Sequence, residues 1–142
     1  MDRAYKTALK AVKGGGTVYI LGLLVHNSPV IKKLEDLGIK SVLSLSEIQK
    51  GTSGSLIISS HGVGPKIFEK AKETGLKIID TTCPWVRKAQ DKAYKLARDG
   101  YQVVIVGDKD HTEVKGIGEW AGESSAVVED KESMGKIGRA HV

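Results

Sequence analysis

The stretch that decides the fold lies at residues 55–84 and reads SLIISSHGVGPKIFEKAKETGLKIIDTTCP. It contains two short β-branched runs, Ser55–Ser59 and Lys77–Asp80, and such runs bounded by turn residues predict buried strands. The segment between them begins at Pro65 and ends before Gly75, the residue types that favour the first turn of a helix and its end. The stretch therefore predicts a strand, a helix and a second strand.

The same pattern recurs on both sides of this stretch. Further runs lie at Thr17–Leu21 and Gln102–Val106, and Val42 and Val127–Val128 are predicted to add short strands. Helix starts and ends are marked again by proline and glycine: Pro29, Pro84, Gly38 and Gly100. A regular succession of strands and helices requires parallel pairing with right-handed crossovers. We therefore predict a doubly wound α/β fold, in which repeated strand-helix units form parallel sheets covered by helices.

The two ends of the chain suggest how it is divided. The helix predicted from Asp2 to Lys13 has no capping residue before it, so its start looks truncated. Residues 137–142 follow no periodicity and equal one translation of a common sequencing adapter, so we expect a non-native tail and leave His141 out of any site. Between these ends we predict a first α/β lobe at residues 1–96 and the start of a second lobe at residues 97–136.

Composition narrows the classes of function. The net charge is +5, but the lysines alternate with acidic residues at helical spacing, which predicts solvated helix faces rather than a nucleic-acid surface. No apolar run approaches the roughly 20 residues that cross a membrane. The single cysteine excludes an internal disulfide and leaves a metal-binding or reactive thiol open. We expect a cytoplasmic protein without nucleic-acid or membrane partners, and rank a basic nucleic-acid binder last.

Every predicted strand-to-helix turn carries a histidine or the cysteine. His26 follows the first strand, His61 the second, Cys83 the third, and His111 with Glu113 the fourth. Ligands of open α/β sheets bind outside the carboxyl ends of the strands. We therefore predict that these side chains converge on one cleft.

These residue types suit one kind of chemistry, and each also has an ordinary structural interpretation. Imidazoles and threonine hydroxyls near helix starts suit a diphosphate, a thiolate suits iron, and Glu113 could deliver a proton while His111 positions the same substrate oxygen. A histidine at a helix start can equally be a cap, Cys83 a small buried residue, and Glu113 a first-turn carboxylate. A zinc site is the competing metal hypothesis, but the paired ligand spacing of zinc sites is missing.

Four motifs occur in order, namely Val25–Asn27, Ser60–Val63, Asp80–Pro84 and Asp110–Gly116. In order, spacing and strand context they resemble the signatures of the hydroxymethylbutenyl diphosphate reductase family, also known as the IspH/LytB family. The resemblance covers residues 1 to about 136.

The resemblance implies a three-lobed α/β protein, of which this chain would form about one and a half to two lobes. It implies that three cysteines hold a [4Fe-4S] cluster, one of them matching Cys83. It also implies that His26 and His61 bind the diphosphate, His111 contacts the substrate, and Glu113 supplies the proton for removing the hydroxyl group. Ferredoxin or flavodoxin would donate two electrons. Isopentenyl and dimethylallyl diphosphate would be made in the bacterial cytoplasm or the plastid stroma, through the non-mevalonate pathway.

The chain departs from the family pattern in ways that bear on activity. By the resemblance, the first cluster cysteine would lie upstream of Met1, and the third cysteine and a Ser-Asn diphosphate site would lie in an absent third lobe. Thr112 stands where proline is common, and Gln90 where histidine is frequent. We expect this chain alone to be inactive, since a bound cluster depends on the full ligand set. The alternative is a non-catalytic α/β module that binds a diphosphate or another small ligand.

Overall fold

Two groups of strand-helix units make up the chain in the computed structural model, which describes residues 2–22, 28–130 and 132. The first unit is Met1–Cys83 and the second is Pro84–Val142. This division differs from the one predicted after residue 96. The difference arises because the helix that begins at Pro84 packs against the helix and strand that follow it.

The first unit contains a four-stranded sheet in the order β2-β1-β3-β4, with every pair parallel. Its elements are α1 (Asp2–Val12), β1 (Thr17–Leu21), α2 (Ser28–Asp36), β2 (Ile39–Val42), β3 (Gly54–Ile58), α3 (Pro65–Glu73) and β4 (Lys77–Asp80). A 3₁₀ turn, Leu45–Glu47, lies between β2 and β3. Tyr19 at the centre of β1 pairs with Lys40 of β2 and with Leu56 of β3, which fixes the register of the sheet.

Side chains from both faces of this sheet are buried. One face packs against α1 and α2 in a core of Ala4, Ala8, Val18, Ile20, Leu34, Ile39 and Ile57. The other face packs against α3 and the segments beside it in a core of Tyr19, Leu21, Val42, Leu56, Ala71 and Leu76. Alternate residues of one strand thus enter different cores, because successive side chains of a strand point to opposite faces. The predicted doubly wound α/β fold is confirmed.

The second unit contains a two-stranded parallel sheet. Its elements are α4 (Pro84–Arg98), β5 (Val103–Val106), α5 (Thr112–Ala121) and β6 (Ser125–Val128). The helices cover one face of the sheet, where Ala93 of α4 and Ala121 of α5 form a core with Val103 of β5. On the other face Val104 is 42% exposed and Val106 is 74% exposed. The prediction that this strand is buried throughout was wrong, because helices cover only one face of β5 within the described residues.

The prolines and glycines that were predicted to mark helix starts and helix ends lie at those positions. Pro65 and Pro84 are the first residues of their helices, and Pro29 is the second residue of α2. Glycines with positive φ follow three helices: Gly38, Gly75 and Gly100. Two expectations, His26 as a site residue and residues 137–142 as a tail, lie outside the described residues. None of the helices that the structure describes is long and apolar enough to cross a membrane.

Candidate functional site

The carboxyl edge of the four-stranded sheet brings two of the predicted motifs side by side. Pairing continues past the strand ends, because Ser59 N–H donates to Leu21 C=O at 3.2 Å and Thr81 N–H donates to Ile58 C=O at 3.0 Å. Beyond them, Cys83 N–H donates to Ser60 C=O at 2.9 Å. The residue before His61 is therefore hydrogen-bonded directly to the cysteine.

A tight turn after β3 presents His61. Gly62 N–H donates to Ser59 C=O at 3.0 Å, and Gly62 has φ 72°, a conformation that a residue with a side chain rarely adopts. His61 is exposed at this turn, whereas Ser59 is buried. The turn thus places an imidazole at the edge where ligands of parallel sheets bind.

The turn after β4 is held by side chains as well as by backbone. The Thr81 hydroxyl and Thr81 N–H both donate to Ile58 C=O. Asp80 Oδ1 accepts from Thr82 N–H at 3.0 Å and from the Thr82 hydroxyl. Both threonines are buried, while Cys83 is half-buried. These contacts fix the backbone just before the cysteine.

Cys83 immediately precedes α4, whose first residue is Pro84. The first turn of α4 contains no acidic residue. Unpaired N–H groups at a helix start carry partial positive charge, which favours a nearby anion such as a thiolate. The position of the cysteine is therefore compatible with a role as a metal ligand.

In the second unit, His111 caps α5. Its Nδ1 accepts from Glu113 N–H at 3.2 Å, and its C=O accepts from Lys115 N–H at 3.0 Å. A ring nitrogen that accepts a hydrogen bond carries no proton, so the neutral ring holds its proton on Nε2 and can donate from there. Glu113 is half-buried in the first helical turn. The capping interpretation of His111 is thus confirmed.

Helices α4 and α5 run parallel, with their starts at the same end. A methyl group on Gly116 would lie 3.8 Å from Gln90 Nε2, and the Tyr94 and Trp120 rings meet edge-to-face with centroids 6.3 Å apart. One turn along α4, from Gln90 to Tyr94, thus corresponds to one turn along α5, from Gly116 to Trp120. The helix that follows Cys83 and the helix capped by His111 consequently start at the same end of the pair.

The structure brings the predicted residues together in two groups. His61 and Cys83 lie on hydrogen-bonded turns of the first unit, and His111 and Glu113 share the first turn of α5 in the second. That all of them converge on one cleft stays a prediction. Within the described residues, no group of three or more His, Cys, Asp or Glu side chains is arranged to hold a metal ion.

Sequence reasoning assigned no role to two aspartates in these turns. Asp80 lies three residues before Cys83, and Asp108 lies three residues before His111. Asp108 Oδ1 accepts from Asp110 N–H at 2.8 Å, as Asp80 Oδ1 accepts from Thr82 N–H. An aspartate at the end of a β-branched run, followed by a helix start, is the signal that could have predicted both turns.

The fold and these turns define an α/β protein with parallel sheets whose strand-to-helix turns carry the ligand-type side chains. Comparison with known families identifies the family of this chain, because the family model described as LytB protein matches residues 1–141. The chain belongs to the LytB family.

Curated relatives agree with this membership. The chain is 41% identical over 137 residues to the 4-hydroxy-3-methylbut-2-enyl diphosphate reductase of Geotalea uraniireducens (strain Rf4), covering 96% of this chain and 48% of the relative. It is 37% identical over 139 residues to the protein of the same name from Alkaliphilus oremlandii (strain OhILAs), covering 96% of this chain and 49% of the relative. The chain thus spans about half the length of the curated relatives it matches.

Solved structures match in fold as well as in sequence. The E-1-hydroxy-2-methyl-but-2-enyl-4-diphosphate reductase of Plasmodium falciparum superposes with a TM-score of 0.76 at 32% identity, covering 94% of this chain and 43% of that structure. A second solved structure superposes with a TM-score of 0.77 at 37% identity, covering 95% of this chain and 48% of that structure. It is described as (E)-4-hydroxy-3-methyl-but-2-enyl diphosphate reductase, the terminal enzyme of the non-mevalonate pathway. These matches confirm the predicted family and the α/β architecture.

Proposed function

We propose that this chain supplies part of the active site of a 4-hydroxy-3-methylbut-2-enyl diphosphate reductase. The observation that supports the proposal is the hydrogen bond from Cys83 N–H to Ser60 C=O, which joins the turn with Cys83 after β4 to the turn with His61 after β3. The curated relatives bear the name of this enzyme. In the proposed reaction the substrate takes up two electrons and two protons, its C–O bond to the hydroxyl group breaks, and water leaves. The products are isopentenyl and dimethylallyl diphosphate.

The proposed cofactor is a [4Fe-4S] cluster, and the chain alone does not fit it. Such clusters are held mainly by several cysteine thiolates, whereas Cys83 is the only cysteine of this sequence. The described residues contain no three-ligand group that could substitute. Cys83 is therefore proposed as one ligand among several, the others coming from outside these residues. The electrons are proposed to come from ferredoxin or flavodoxin.

His61 and His26 are proposed to bind the diphosphate. His61 is exposed in the turn after β3, at the carboxyl edge of the parallel sheet. An imidazole N–H donates to phosphate oxygens, and its protonated form adds a positive charge. The role of His26 rests on the family resemblance, since this residue lies outside the described part of the chain.

Glu113 is proposed as the proton source and His111 as the residue that orients the substrate oxygen. The cap bond holds His111 Nδ1 against Glu113 N–H, which fixes the imidazole ring at the start of α5. Both residues lie at the start of α5, and both side chains are proposed to contact one substrate group placed there. A positioned acid is needed because hydroxide is a poor leaving group and departs more readily as water.

A chimeric protein tests this proposal. We would join this chain to the segments of the Geotalea uraniireducens reductase that lie outside the match, and reconstitute the product anaerobically with iron and sulfide. The expected result is a brown protein that consumes the diphosphate substrate with a chemical reductant. Cys83→Ser should lose the cluster. Glu113→Gln should keep the cluster and lose about 100-fold in kcat, whereas the control Glu119→Gln on the same helix should keep both.

Two outcomes would contradict the proposal. One is a chimera that folds by circular dichroism but stays colourless while the Geotalea protein, treated identically, binds iron. The other is a Cys83→Ser variant that keeps both iron and activity, because the proposed ligand would then be dispensable.

A non-catalytic diphosphate-binding module is the second candidate. It rests on the exposed His61 at the carboxyl edge of the parallel sheet, since an imidazole there can bind a phosphate without redox chemistry. Calorimetric titration of the 142-residue chain with inorganic pyrophosphate distinguishes the two. Binding by the chain that Cys83→Ser leaves unchanged, together with a chimera that binds no iron, would favour the module.

A further inference from the structure

The two turns that hold the candidate residues share one construction. In each, an aspartate at or just after the end of a strand accepts a hydrogen bond from the N–H two residues further on. The next residue is Cys83 in the first turn and His111 in the second. An aspartate that bonds the backbone two residues on closes a local ring and restricts the direction in which the chain leaves the turn.

The turn before Cys83 is the more tightly held of the two. Asp80 Oδ1 accepts from both the N–H and the hydroxyl of Thr82, so this residue is fixed through its backbone and its side chain. Thr81 is anchored in turn to Ile58 C=O. Cys83 is the first residue after these contacts, and its own N–H is directed at Ser60 C=O.

We infer that Asp80 is a positioning residue for Cys83: its Oδ1 fixes Thr82 and thereby the orientation of the thiol in the next residue. That the thiol ligates iron rests on the proposed function. The positioning itself does not, because it concerns only hydrogen bonds within the first unit. Asp80 contributes here as a hydrogen-bond acceptor, a role that a neutral amide oxygen can also fill.

Alkylation of the thiol measures this positioning directly. Cys83 is the only cysteine, so the rate of labelling with iodoacetamide in the 142-residue chain reports on this one residue. Asp80→Ala removes the acceptor, and Asp80→Asn removes the charge but keeps an oxygen at the same position. We expect Asp80→Ala to label about fivefold faster than the parent chain, because losing the acceptor releases the turn, and Asp80→Asn to stay within about twofold.

The matched control is Asp108→Ala, which removes the corresponding acceptor from the turn in the second unit. This variant should label at the parent rate if the effect is local to the β4–α4 turn. Circular dichroism of each variant establishes that the chain is folded. If Asp80→Ala does not fold, Thr82→Val provides the same test by deleting only the hydroxyl bond, and a rise of about twofold is expected.

Several results would overturn the inference. Equal acceleration in Asp80→Ala and Asp80→Asn would show that charge, and not the acceptor, governs the thiol. Unchanged labelling in Asp80→Ala, or equal acceleration in Asp108→Ala, would show that the turn does not set the orientation. None of these results depends on a cluster, so a failure here is distinct from a colourless chimera, which would contradict the proposed function alone.

Discussion

The two units bury their parallel strands to different extents. In the first, helices cover both faces of the sheet, and Val18, Ile20, Leu56 and Ile57 are completely buried. In the second, α4 and α5 cover one face of β5 while Val104 on the other face is exposed. Parallel strands are normally covered on both faces. One sequence pattern, a run of β-branched residues, thus leads to a core on both faces of the sheet in the first unit and on one face among the described residues of the second.

The largest expected difference between the units follows from shortening a buried side chain of β3 and an exposed side chain of β5. Ile57→Ala should reduce the free energy of unfolding of the first unit by about 4 kcal/mol, because a fully buried isoleucine leaves a cavity. Val104→Ala in the second unit should change stability by less than about 0.5 kcal/mol, because the side chain is already in contact with water. Urea unfolding followed by circular dichroism measures both. Equal losses would mean that Val104 is buried in solution.

The second unit also contains a buried polar side chain without a partner. Gln90 is 1% exposed, and neither its Nε2 nor its Oε1 has a hydrogen-bond partner in the structure. Gln90→Met keeps the length of the side chain and removes the unpaired amide, so we expect a gain of about 1 kcal/mol in thermal or urea unfolding. Gln102→Met, at an exposed position, is the control and should gain nothing. A loss in Gln90→Met would indicate that water pairs the amide in solution.

Much of the fold could be predicted because its signals are local. Pro65 and Pro84 fix φ at helix starts, and Gly75 and Gly100 supply the positive φ that follows a helix end. These preferences act within a few residues, so reading the chain in order finds them. The parallel sheet then follows from the alternation of strands and helices.

The differences between the predictions and the structure concern contacts between distant residues. Whether β5 is buried on one face or on both, and whether α4 belongs to the first or the second unit, depends on which elements each helix packs against. The run at Gln102–Val106 has the same sequence pattern whether one face or both faces of the strand are covered. The roles of the site residues stay predictions. The hydrogen bond from Cys83 N–H to Ser60 C=O shows only that two of the motifs are adjacent. The hydrogen bonds of Asp80 to Thr82 were not predicted, because an aspartate at a strand end is common and its partners depend on the conformation of the turn.

The smallest expected effect concerns the packing of α5 on β5 and β6. Gly118 lies inside this helix, and a methyl group added there would lie 3.7 Å from Ile105 Cδ1 and 3.8 Å from Ser125 Oγ, which is ordinary van der Waals contact. Gly118→Ala should therefore stabilise the second unit by about 0.7 kcal/mol, since alanine loses less backbone entropy in a helix. Gly122→Ala is the matched control: nothing lies within 4 Å of its added methyl group, yet its φ of 70° makes a side chain unfavourable, so stability should fall. Thermal melts of the two variants show whether the space around the added methyl group or the backbone conformation determines the change in stability. A loss in Gly118→Ala would mean that α5 packs as tightly as the helices of the first unit, and the difference between the units would then reside only in the exposed face of β5.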